Sequence, residues 1–167
     1  MRKRQTRWLL LVLFAARLVS VQAADTHVDI SQIIDKAAAE GILEEPVKAP
    51  APRNVEGSDG YYSKCNYYSA KSGRRLILRL YQAAAGFDPQ KQLELVAETT
   101  GAMRAISGLG DKARISAGPP GGLPQQVVML YVIKANSLIT IGIAGLEDEN
   151  IATEKAKAIA QKILAKL

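Results

Sequence analysis

The chain has little of what enzymes most often use for chemistry. It holds one histidine and one cysteine. Cys65 has no second cysteine to pair with, which excludes an intramolecular disulfide, a Cys-x-x-Cys redox pair and haem attachment through Cys-x-x-Cys-His. His27 lies close to the start of the chain, so a Ser-His-Asp or Cys-His relay would have to recruit a loose leader. A zinc site built from Cys and His lacks ligands. A phosphate-cradling Walker loop is missing, because Gly118-Pro119-Pro120-Gly121-Gly122 has no following Lys-Ser/Thr and its prolines carry no amide donors. Gly108-Leu109-Gly110 lacks the third glycine and the long preceding strand of a dinucleotide fingerprint. The sequence therefore points to no catalytic residue, no metal ligand and no cofactor.

What is present begins with an export signal. Arg2, Lys3, Arg4 and Arg7 precede the short apolar core Trp8–Ala16, and Val21-Gln22-Ala23 is a small-residue cleavage site. Residues 1–23 are read as a signal peptide, 24–28 as a loose leader and 29–167 as a single domain. Arg17 interrupts the apolar run, which is then too short to span a bilayer as a stable helix; an uncleaved anchor is the alternative. No cysteine near the cleavage point offers a lipid attachment. The expected location is the periplasm or the extracellular space, with no stable membrane span after cleavage.

The signal also accounts for the charge. The chain has a formal net charge of +6, but five of its 22 basic residues and none of its 16 acidic ones fall in residues 1–23. The remaining 144 residues hold 17 basic against 16 acidic side chains, a net of +1. The high isoelectric point is no argument for a nucleic-acid partner. A domain of this size buries a sizeable core without disulfides.

The strongest structural signal lies at the end of the chain. Two apolar runs, Gln126–Ala135 and Leu138–Gly145, flank Asn136-Ser137 and predict a hairpin. The first run is unbroken and β-branched, as in a strand covered on both faces. The second alternates: Ile139, Ile141 and Ile143 share one face, and Leu138, Thr140, Gly142 and Ala144 share a smaller one, where a helix is expected to pack. The helix Asn150–Leu167 follows, with Asp148 or Asn150 as its cap and Ala152, Ala156, Ile159, Ala160, Ile163 and Leu167 as its apolar stripe.

Upstream, Asp29 is read as the cap of one short helix that stops at Gly41. Residues 44–60, with three prolines, are read as an extended loop. Tyr61–Tyr68 and Arg74–Gln82 predict a second hairpin with Leu76, Leu78 and Leu80 facing the core and Cys65 buried. Asp88-Pro89 opens a helix that runs to about Thr100, with Gly101 as its stop. A turn at 106–113 enters a short strand at 113–116, and 118–124 is a flexible loop. The sum is an α+β fold: a central antiparallel sheet of about five strands with three helices packed on it.

Two groups of residues could bind something. Tyr61, Tyr62, Tyr67 and Tyr68 supply amphipathic contact area beside Arg75 and Arg79, which can stack on rings or hold anions. Against this stands a tyrosine-rich strand that is simply packed under a helix. Asp111, after a glycine turn, fits ordinary turn chemistry.

The order of these parts carries a resemblance. Cys65-Asn66-Tyr67 in a strand, Gly108-Leu109-Gly110-Asp111-Lys112-Ala113, and an apolar hairpin with Lys134 at its turn resemble a broad group of bacterial secreted proteins and envelope lipoproteins of unknown function. The resemblance implies a PsbP-like α/β/α sandwich and no particular reaction. This chain departs from the group in having neither a lipobox cysteine nor a second cysteine near Asp29 to bridge to Cys65. The expected function is a non-enzymatic binding or accessory module of the cell envelope, with an envelope protein or a small ligand as its partner. The alternatives are a hydrolase or other enzyme working through carboxylates and tyrosines such as Asp111 and Tyr67, and an oligomeric structural protein of the envelope.

Overall fold

A computed structural model describes residues 27–100, 103–118 and 126–167. The expected signal segment and its cleavage point, most of the leader, the Gly101 stop and nearly all of the 118–124 loop lie outside these residues. Among these residues eleven elements follow in order. They are α1 (Ile30–Ile33), α2 (Lys36–Leu43), β1 (Arg53–Gly57), β2 (Gly60–Tyr68), β3 (Arg75–Ala83), α3 (Pro89–Thr100), β4 (Arg104–Ile106), β5 (Lys112–Gly118), β6 (Val127–Lys134), β7 (Ser137–Ala144) and α4 (Glu149–Leu164).

The strands form one antiparallel sheet of seven, in the order β1-β2-β3-β7-β6-β5-β4. This corrects the expectation of about five strands and three helices. The two additional strands are β1, which lies inside the stretch read as a loop over 44–60, and the three-residue β4. The additional helix arises because the single helix expected after Asp29 is two. Ile34 adopts an extended conformation between α1 and α2, and its carbonyl accepts the buried Tyr67 hydroxyl. Asp35 then caps α2 by accepting from the Ala38 amide at 2.8 Å. Gly41 sits inside α2; the helix ends at Glu44, whose φ of 59° is left-handed. Lys155 donates to the Ile42 carbonyl at 2.7 Å and Arg74 to the Leu43 carbonyl at 2.9 Å, so two cations complete that helix end.

Alternation along the strands sorts the sheet into two faces. The first carries Cys65 and Tyr67 of β2, Leu76, Leu78 and Leu80 of β3, and Ile139, Ile141 and Ile143 of β7, all at most 1% exposed. Together with α1, α2 and α4 they make the main core. The terminal helix therefore covers the isoleucine face, not the small face on which it was expected. Its own stripe is small at Ala152, Ala156 and Ala160, so the bulky isoleucines close the gap from the sheet side. On the small face the thioether of Met129 lies over Gly142, where a Cβ would meet its sulfur at 2.7 Å.

The β6–β7 turn falls one residue earlier than expected, at Ala135-Asn136. Ala135 has φ 50°, and its amide donates to Asp111 at 2.7 Å. Lys134 reaches the same carboxylate at 3.1 Å. The Ala135 amide, and then Lys134, hold the Asp111 carboxyl below its ordinary range. Asp111 thus clamps a hairpin end. Tyr67 lies in the core toward the opposite end of the sheet, where it pairs with Leu76 and through it with Ile143. The two residues considered together for an enzyme do not share a site.

Ser63 ties α1 to the sheet edge. Buried on β2, it accepts from the Ile30 amide at 2.9 Å and donates to Asn54 of β1 at 2.7 Å. Ser63→Ala leaves the first amide of α1 buried without an acceptor. The expected loss is about 1–3 kcal/mol, read from the urea-unfolding midpoint at unchanged m-value.

A candidate binding cleft on the second face of the sheet

The second face is only partly covered. Helix α3 crosses it at one end and buries Leu93 against Tyr81, Tyr131, Ile133 and Leu138, forming a smaller apolar cluster. Asp88 caps this helix by accepting from the Gln90 amide at 2.8 Å, and Pro89 supplies a first residue that needs no amide donor. Leu95, on the far side of α3, is 57% exposed. Between α3 and the strands lies a cleft of about 400 Å³, within the roughly 300–1,000 Å³ range of small-molecule sites.

Its floor is aromatic and aliphatic. Tyr62 and Tyr81 stack with ring centroids 4.8 Å apart, and Val55, Val96 and Leu138 extend the apolar surface. Both phenols are anchored at the β1–β2 turn: Tyr62 donates to the Asp59 carboxylate and Tyr81 donates to the Asp59 carbonyl at 2.9 Å. Burial, and then the Asp59 carboxylate, push the Tyr62 hydroxyl well above the usual phenol range, so it stays protonated. Gln92 from α3 and Thr140 from β7 add neutral polar groups.

The wall is cationic. Arg53, Lys64 and Arg79 line the cleft and are direct cross-strand partners on β1, β2 and β3. All three are exposed, and among the described residues none forms an ion pair. The same row continues through Thr140 and Tyr131 to Arg114 on β5. No carboxylate, histidine or cysteine lines the cleft among the described residues.

The residues singled out in the sequence divide between environments. Tyr62 and Arg79 line the cleft. Tyr68 and Arg75 share its face but lie further along the strands, where Tyr68 accepts from Asn66 at 3.2 Å and the Arg75 Nε is buried without a partner among the described residues. Tyr67 belongs to the core. Tyr61 stacks on His27 with centroids 4.3 Å apart, and His27 approaches Glu56 at 3.4 Å. The tyrosine cluster seen in sequence is therefore not one site. Sequence reasoning missed Arg53, Lys64 and Tyr81. Arg53 was hidden in the presumed loop, although Arg53–Gly57 followed by Ser58-Asp59-Gly60 carries a hairpin signal. Cys65 is buried as expected, 1% exposed, and burial raises its thiol pKa.

Among the described residues no cluster of three or more His, Cys, Asp or Glu side chains could hold a metal ion. No helix among them is long and apolar enough to cross a membrane. No protein-family model matches the chain, and no curated protein matches it.

Proposed function

We propose that the protein is an exported, non-catalytic binding module of the cell envelope that holds a small ligand between α3 and the second face of the sheet. The cleft carries this reading. Among the described residues it joins an apolar floor to three cations that form no ion pair, and its lining offers no carboxylate, imidazole or thiol to act as base or nucleophile. The basic n-region and small-residue cleavage site support export, as does the resemblance to secreted envelope proteins. A concave site of this size favours a small ligand over a protein surface.

Native mass spectrometry of the protein recovered from its own cell envelope tests the reading. The expected spectrum shows residues 24–167 with a reproducible small adduct. That adduct disappears on denaturation and is absent from Val96→Trp, which fills the cleft from α3. A bare chain in every preparation would count against the binding role, and retention of residues 1–23 would replace the exported form by an anchored one.

A further inference from the structure

We propose that the ligand of this cleft is an amphipathic anion, with a phosphate or carboxylate head held by Arg53, Lys64 and Arg79 and an apolar body lying on Tyr62, Tyr81 and Leu138. The inference rests on the cleft being the binding site and adds the chemistry that it selects.

The charge row is the reason. Like charges directly opposite one another on neighbouring strands are unfavourable, yet Arg53 faces Lys64 and Lys64 faces Arg79. Lysines and arginines often protect an open sheet edge from pairing with another chain, which would account for Arg53 on the edge strand β1. It does not account for Arg79, because β3 is an inner strand with β2 on one side and β7 on the other. Nor does overall composition account for it, since residues 24–167 carry a net of only +1. Outside the row Lys36, Arg74, Arg104, Lys134, Lys155 and Lys157 meet carboxylates, whereas others such as Lys48, Lys91 and Arg114 form no ion pair among the described residues, so what sets the row apart is its alignment across three strands beside the cleft. Three cations in register beside an open cleft, with no ion pair among the described residues, are what an anionic head would neutralise. Arginine binds planar or tetrahedral oxyanions through paired N–H donors, and lysine adds a point charge.

The apolar half of the ligand follows from position. The row Arg53–Lys64–Arg79 lies two residues along each strand from Val55, Tyr62 and Tyr81, on the same face. A head on the cations therefore directs the remainder of the molecule onto the stacked tyrosines and under Val96 of α3. A bare inorganic anion would leave that surface empty, and a neutral lipid would leave the cations unmatched.

Calorimetric titration of the protein purified from cells expressing the full chain, with octyl phosphate, decanoate, octanol, octyltrimethylammonium and inorganic phosphate, tests this. Octyl phosphate and decanoate are expected to bind at least about tenfold more tightly than the other three, with affinity falling as salt is raised. Arg79→Gln and Lys64→Gln are each expected to weaken both amphipathic anions by about tenfold without lowering the melting temperature. Equal binding of octanol or of the cation would overturn the inference while leaving the cleft as a binding site. Equal binding of inorganic phosphate would remove the apolar half. Undiminished anion binding in both variants would place the head elsewhere. Binding to anionic vesicles without binding to either free anion would replace the small ligand by a membrane surface. Silence from all five probes, together with a bare chain in native spectra, would remove the binding role itself.

Discussion

Gly60→Ala is expected to destabilise the fold by about 3 kcal/mol or more. Gly60 has φ 145°, a region that side chains with a Cβ rarely enter. An added Cβ would stand 2.2 Å from the Gln82 carbonyl oxygen and 2.9 Å from the Ala84 amide nitrogen. Both are backbone atoms of the β3 end, so no side-chain rotation relieves the collision. The turn would have to move, and with it Asp59, which anchors Tyr62 and Tyr81 and receives the Ala84 amide at 2.9 Å. Equilibrium urea unfolding gives the magnitude. A loss below about 1 kcal/mol would mean that β1 does not join β2 through this turn.

Leu78→Ala is expected to lower stability by about 2–5 kcal/mol. Leu78 is fully buried on β3, between Cys65 on β2 and Ile141 on β7. The neighbours are held by strand pairing on both sides, so they cannot collapse into the space, and the cavity remains. The second readout is Cys65. Its thiol is shielded by this layer, and burial keeps it protonated, so the native protein is expected to react slowly with a thiol reagent. In Leu78→Ala the labelling rate is expected to rise by orders of magnitude, because local and global opening become more frequent. Leu95→Ala, at an exposed position on α3, serves as the comparison and is expected to change stability by no more than about 0.5 kcal/mol.

Both substitutions act on residues whose setting was unequally legible. Leu78 and Cys65 were readable as inward because β2 and β3 alternate and one face must be apolar. Gly60 was read only as the end of an extended loop. Its constraint comes from β3, whose backbone passes within contact distance although it is more than twenty residues further along the chain. The same kind of long-range contact broke the first helix. Nothing local forbids a helix through Ile34, but the Tyr67 hydroxyl takes its carbonyl. The register of the β6–β7 turn likewise depends on Asp111, which arrives from the β4–β5 connection to hold the Ala135 amide.

The candidate site was half visible. Tyr62 and Arg79 were singled out and do line the cleft, but Tyr61 and Tyr67 belong to the other face, and Tyr68 and Arg75 lie further along the strands. Period-two alternation separates Tyr62 from Tyr61 and Tyr67, and that separation could have been applied to binding as well as to burial. Arg53 could not be added without knowing that β1 pairs with β2, and Val96 required the placement of α3.

By itself the sequence determined the buried faces of β2, β3, β6 and β7, the capped starts of α3 and α4, and the shortage of histidine and cysteine that narrows the chemistry. These are properties of spacing and composition, carried by neighbouring residues. Only the tertiary structure decided that the sheet has seven strands, that α4 covers the isoleucine face, and that Arg53, Lys64 and Arg79 stand side by side next to two stacked tyrosines. Local alternation sets which face a side chain takes and turn chemistry pairs the strands of a hairpin, but the order in which hairpins join, here β3 beside β7, brings together residues that are distant in sequence.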